Sequence, residues 1–69
     1  MTARSRYEIK VTGDSIEVVD LAQGEAVLFW DCTPRQRRRM QEALIADLDR
    51  LSAEDFLYKW AVIEPTHFD

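Results

Sequence analysis

Tyr7-Glu8-Ile9-Lys10-Val11-Thr12 alternates apolar and polar residue by residue, the period of a strand with one face buried and the other in water. Gly13-Asp14 follows as a tight turn, glycine being the residue that accepts positive φ. Ser15 to Leu21 then resumes the β-branched pattern with one slip at Val18-Val19, which predicts a β-bulge. Gln23-Gly24-Glu25 marks a second turn. The run Ala26-Val27-Leu28-Phe29-Trp30 is apolar on both faces, the pattern of a strand covered on both sides. Three successive strands joined by short turns predict an antiparallel meander.

After the third strand the period changes to that of a helix. Thr33 suits the N-cap, Pro34 the first helical position, and Gln36 the return partner of a capping box,. Met40, Ala43, Leu44, Leu48 and Leu51 recur at three- and four-residue spacing and form one apolar stripe for the sheet, with Arg37, Arg38, Gln41, Glu42, Asp49 and Arg50 mostly off it,. Ser52-Ala53-Glu54-Asp55 reads as a second N-cap with an acidic first turn, so a shorter helix is expected through Phe56, Leu57, Trp60 and Ala61,. The aromatic and β-branched run from Phe56 to Ile63 also suits a fourth strand, which would give a βββαβ order,. The expected fold is therefore α+β, a three-stranded antiparallel β-meander followed by a helix and a shorter second helix, with a fourth strand at 56–63 as the alternative. Residues 1–69 form one small domain in this reading, with 1–6 and 65–69 loose.

Composition narrows the class. A chain of 69 residues has room for one core, and a domain of this size buries only about 60% of the surface its unfolded chain exposes. Its hydrophobic content of 46% therefore calls either for a dense core or for apolar surface covered by another chain; the reading favours the second. One cysteine, Cys32, leaves no internal disulfide and no zinc site,. The longest apolar run, Ala26 to Trp30, is far short of the ~20 residues that span a bilayer. With neither an export signal nor a second cysteine, the cytoplasm is the expected compartment. The formal charge is −4 and uneven: residues 1–40 hold seven Lys/Arg against six Asp/Glu, residues 41–69 two against seven. That balance argues against general affinity for a nucleic-acid backbone.

Two residue sets are candidate partner-binding positions. Arg35, Arg37, Arg38 and Arg39 crowd the N-terminal end of the predicted helix, where the dipole favours anions. Such a breach of a local rule, beside free backbone N–H groups, suits recognition of carboxylates or phosphates; as an ordinary solvated face it would instead pair Arg38 and Arg39 with Glu42. Phe29, Trp30, Tyr58 and Trp60 form the second set, because Trp and Tyr bury much area at interfaces for little entropy, although most aromatics in a small domain serve its core. Asp47, Asp49, Glu54 and Asp55, with Glu42 nearby, read as a solvated acidic face, with imitation of nucleic-acid phosphates as a minority reading,. Cys32 reads as a buried strand-end residue, and His67 lies in a tail that suits neither catalysis nor a metal.

No P-loop, dinucleotide glycine pattern, nucleophile elbow, zinc spacing or EF-hand loop occurs,. The expectation is accordingly no catalytic residues, no metal and no cofactor. It is a non-enzymatic protein-interaction module: an accessory, inhibitory or assembly subunit that binds a larger protein partner, itself or both. Small inhibitors encoded by phages and mobile elements are the nearest analogy. The alternative is a small dimeric nucleic-acid-binding regulator that sets Arg35, Arg37, Arg38 and Arg39, with Arg4 and Arg6, on phosphates.

Overall fold

Local signals account for most of the secondary structure in the computed structural model, which describes all residues 1–69. Strands β1 (Tyr7–Val11), β2 (Ser15–Asp20) and β3 (Glu25–Asp31) pair in chain order as an antiparallel sheet, and helices α1 (Pro34–Arg50) and α2 (Ala53–Trp60) follow. The β1–β2 register runs unbroken from Tyr7 opposite Asp20 to Val11 opposite Ile16. In β2–β3 the register slips between Val18 and Val19, so Val18 faces Leu28 while Val19 faces Ala26. The bulge falls where the alternation slips, with Val27 as the extra residue on the β3 side.

The two turns divide their work differently from the sequence expectation. Thr12 N–H donates to Ser15 O at 3.0 Å, and the Thr12 and Ser15 hydroxyls lie 2.6 Å apart. That turn needs no left-handed residue, and Gly13 does not adopt one. The left-handed residue is Gly24, at φ 70°, whose N–H reaches back to Asp20 O at 2.7 Å. Asp20 also accepts from the Ala22 N–H at 2.9 Å, so one aspartate closes the β2–β3 turn from within.

Thr33 forms the full capping box of α1: its side chain accepts from Gln36 N–H at 3.1 Å, and Gln36 Oε1 accepts from Thr33 N–H at 2.9 Å. Replacing Thr33 with Ala should cost about 1 kcal/mol. In a domain this small that lowers the thermal midpoint by roughly 4–8 °C, a shift that calorimetry reads directly.

The alternative of a fourth strand at 56–63 is not what forms. Ser52 accepts from the Asp55 N–H at 3.2 Å and starts α2. Helical spacing then sends Phe56 and Trp60 inward together while Tyr58 points out. In a strand, Phe56, Tyr58 and Trp60 would all share one face.

Helix α1 and helix α2 cover one face of the sheet. Ile16 and Val18 from β2, Tyr7 from β1 and Trp30 from β3 meet Met40, Leu44 and Leu48 of α1 and Phe56 and Trp60 of α2 in one core. The ends of the chain, expected to be loose, touch this layer. Ala3 is fully buried and its N–H donates to Leu51 O at 2.8 Å, satisfying a carbonyl where α1 stops. At the other end Phe68, in a 3₁₀ turn over Pro65–Phe68, stacks on Trp60 with ring centroids 5.9 Å apart. No helix is long and apolar enough to cross a membrane.

Candidate functional site

No helix packs on the second face of the sheet, where Val19 alone is buried, at 8% exposure. Pleating sends Tyr7, Ile9, Val11, Ile16, Val18, Leu28 and Trp30 towards the helices, and Glu8, Lys10, Glu17, Val19 and Phe29 the other way,. Phe29 is 57% exposed there, and Val27 beside it at the bulge is also exposed. Within the chain only the inner side of Ala26 to Trp30 is covered, so the cover that its two apolar faces call for on the outer side does not come from the chain itself. The cause is topological: a three-strand meander in chain order places β3 at an edge, and all helical mass follows on one layer.

Both tryptophans belong to the inner layer. Trp60 is 1% exposed and packs edge-on against Trp30, ring centroids 6.0 Å apart. Each indole N–H is satisfied internally, Trp30 by Ile63 O at 3.0 Å and Trp60 by Asp47 Oδ2 at 3.0 Å. Of the four aromatics singled out from the sequence, Phe29 and Tyr58 therefore reach solvent, on opposite layers of the molecule. Tyr58 is 85% exposed.

The four arginines do not converge on one surface, because consecutive helical positions are spread 100° apart. Arg37 is half-buried, donating from one terminal nitrogen to Gln41 Oε1 at 2.7 Å while its Nε–H is buried without a partner. Arg39 donates to Asp69 O at 3.4 Å. Arg35 and Arg38 are exposed and take part in no ion pair, and the pairing of Arg38 and Arg39 with Glu42 that an ordinary solvated face would make does not form. Arg4 is engaged by Asp49, and Arg6 by Asp20 at 3.2 Å. Hydrogen bonding from Arg6 outweighs the opposing effect of burial and holds the Asp20 carboxyl below its ordinary range,.

Asp47 was read as part of a solvated acidic face and is instead buried, 3% exposed. Its two oxygens accept from Arg50 at 2.8 Å, Lys59 at 2.5 Å and the Trp60 indole at 3.0 Å. Burial pushes this carboxyl up, but the hydrogen bonds from Lys59 and Arg50 outweigh it and the net direction is down,. A signal for this was present: Asp47 lies three residues after Leu44 and four before Leu51, on the apolar stripe itself,. Glu42, Asp49, Glu54 and Asp55 remain exposed.

Cys32 is buried just past β3, and burial raises its thiol against the partial opposing effect of Arg37. His67 is exposed, and its Nδ1 accepts from the Glu64 N–H at 3.0 Å. No cavity is present, and no group of His, Cys, Asp and Glu is placed to hold a metal ion. No protein-family model, curated protein or solved structure matches the chain. The candidate site is thus a surface, the outer side of β3 around Phe29 and Val27.

Proposed function

We propose that this chain is a non-enzymatic protein-interaction module, an accessory, inhibitory or assembly subunit of a larger protein complex. The observation that carries the reading is the uncovered outer sheet face with Phe29 and Val27 exposed on it. Such a ring held on a pre-formed strand is the kind of anchor that supplies much of an interface's affinity at little ordering cost. Arg35 and Arg38, exposed near the start of α1 and in no ion pair, are available to acidic groups of the partner,. The nucleic-acid alternative needs six arginines on phosphates, and four of them are engaged or half-buried within the fold.

Affinity capture from a lysate of expressing cells, at low and at high salt, tests the reading with wild type, Phe29→Lys and Arg35→Glu/Arg38→Glu in parallel. The expected result is a stoichiometric protein that survives high salt and is lost with Phe29→Lys. Recovery of nucleic acid that disappears at high salt and with the double arginine reversal would replace this reading with the alternative, since phosphate contacts weaken steeply as salt rises.

A further inference from the structure

The open edge of β3 is unlike the other edge of the sheet. Strand β1 is five residues long and carries Glu8 and Lys10, charges of the kind that keep an edge from pairing. Strand β3 is seven residues long, has five consecutive apolar residues and contains neither Lys nor Pro. Its ladder phase is set by the Cys32 N–H donating to Asp14 O at 2.9 Å. Counting back by twos, Trp30 and Leu28 turn their peptide groups towards β2, so those of Phe29 and Asp31 point outward with no partner in the chain,.

We infer that β3 pairs antiparallel with β3 of a second copy of this chain about a two-fold axis at Phe29, joining two three-stranded sheets into one of six strands. In that register Phe29 exchanges both main-chain hydrogen bonds with the partner's Phe29, which places the two rings side by side on the outer face. Val27 stands opposite the partner's Asp31.

Charge complementarity points to a second copy as the occupant. Antiparallel pairing about Phe29 sets the start of β3, with Glu25, against the end of the partner's β3, beyond which the partner's Arg35 follows. Glu25 and Arg35 are both exposed and neither takes part in an ion pair within the chain. The two-fold brings them together twice, and so gives an anion to an arginine whose place at a helix N-terminus is otherwise unfavourable. On the helix-layer side of the same border, the Trp30 indole is tied to Ile63 O. Val62, next to that tie, is exposed and apolar. The pairing leaves the outer face open, so it does not depend on the docking of a different protein.

The test is the solution mass of the purified chain across a concentration series, with amide exchange read residue by residue. The expected result is twice the 8.1 kDa chain mass, with the Phe29 and Asp31 amides protected in the dimer and fast on dilution. Phe29→Lys should weaken association by roughly thirtyfold, as loss of a central aromatic anchor does. Glu25→Arg or Arg35→Glu alone should weaken it, and the two together should restore it. A chain that stays at 8.1 kDa with fast Phe29 and Asp31 amides overturns the inference, as does a dimer indifferent to Phe29→Lys and to the charge swap. A monomer that still captures a larger protein removes this inference alone, and a dimer that captures nothing removes the proposed function alone.

Discussion

Trp60→Ala should remove about 3–5 kcal/mol of stability, between a third and all of what a chain this small has. The ring is 1% exposed and lies where three aromatics meet, with Trp30 at 6.0 Å, Phe68 at 5.9 Å and Phe56 at 6.3 Å between centroids. Truncating a buried Trp to Ala costs about 3–5 kcal/mol in transfer and cavity terms. Against that, a domain of 69 residues has a total stability of only about 3–10 kcal/mol at the usual per-residue value. The same substitution removes a hydrogen bond from Asp47 and the platform on which Phe68 stacks, so the C-terminal turn loses its attachment as well. Trp60→Phe, which keeps a ring but not the indole N–H, should be milder. Tyr58→Ala, two residues away and exposed, should change stability by no more than about 0.5 kcal/mol. Urea unfolding followed by circular dichroism separates the three. A cooperative, near-wild-type transition for Trp60→Ala would show that this aromatic cluster does not hold the fold.

The contrast between Trp60 and Tyr58 also shows what could be read from the residues. Strands β1 and β2, the slip at Val18-Val19 and the start of α1 at Pro34 follow from short-range chemistry: alternation, turn residues and a capping box lie within a few positions of where they act. Residue type alone does not say which side of an element is covered. Phe29 and Trp30 are adjacent and equally apolar, yet one faces solvent and the other lies in the core, because the pleat separates them and both helices pack on one layer. The edge position of β3 follows from the meander order rather than from its own composition, which resembles that of a central strand. Asp47 was missed for the opposite reason. Its charge suggested water, and only the return of α2, which brings Lys59 and Trp60 to it, supplies the partners that make its burial tolerable. The terminal contacts of Ala3 and Phe68 depend on where the ends of α1 and α2 come to rest, so no local pattern announces them.

Loss of that buried carboxylate should be the second large effect, and it should depend on pH. Asp47→Ala strips the acceptor from the Trp60 indole, which stays buried, and from Lys59 and Arg50, which can turn to water. The expected cost is about 2–3 kcal/mol, mostly from the orphaned indole N–H and the space left behind. Asp47→Asn keeps an oxygen that can serve Trp60 and Lys59 while turning an NH₂ towards Arg50, so a smaller loss is expected. In the folded chain the Asp47 carboxyl titrates below its ordinary value of 3.8. The ionised form therefore contributes stability that is fully present above that value and is lost as pH falls through the lower, folded value. Asp20 and Asp49 are also depressed, so acid should weaken the wild type through several groups. The Asp47 share is the difference between the wild-type and Asp47→Asn stability curves, which should be constant from pH 7 down to about 4 and narrow below it. Parallel curves through that acid range would mean that the Asp47 charge adds nothing to the fold, and that its three donors would be equally well served by a neutral acceptor.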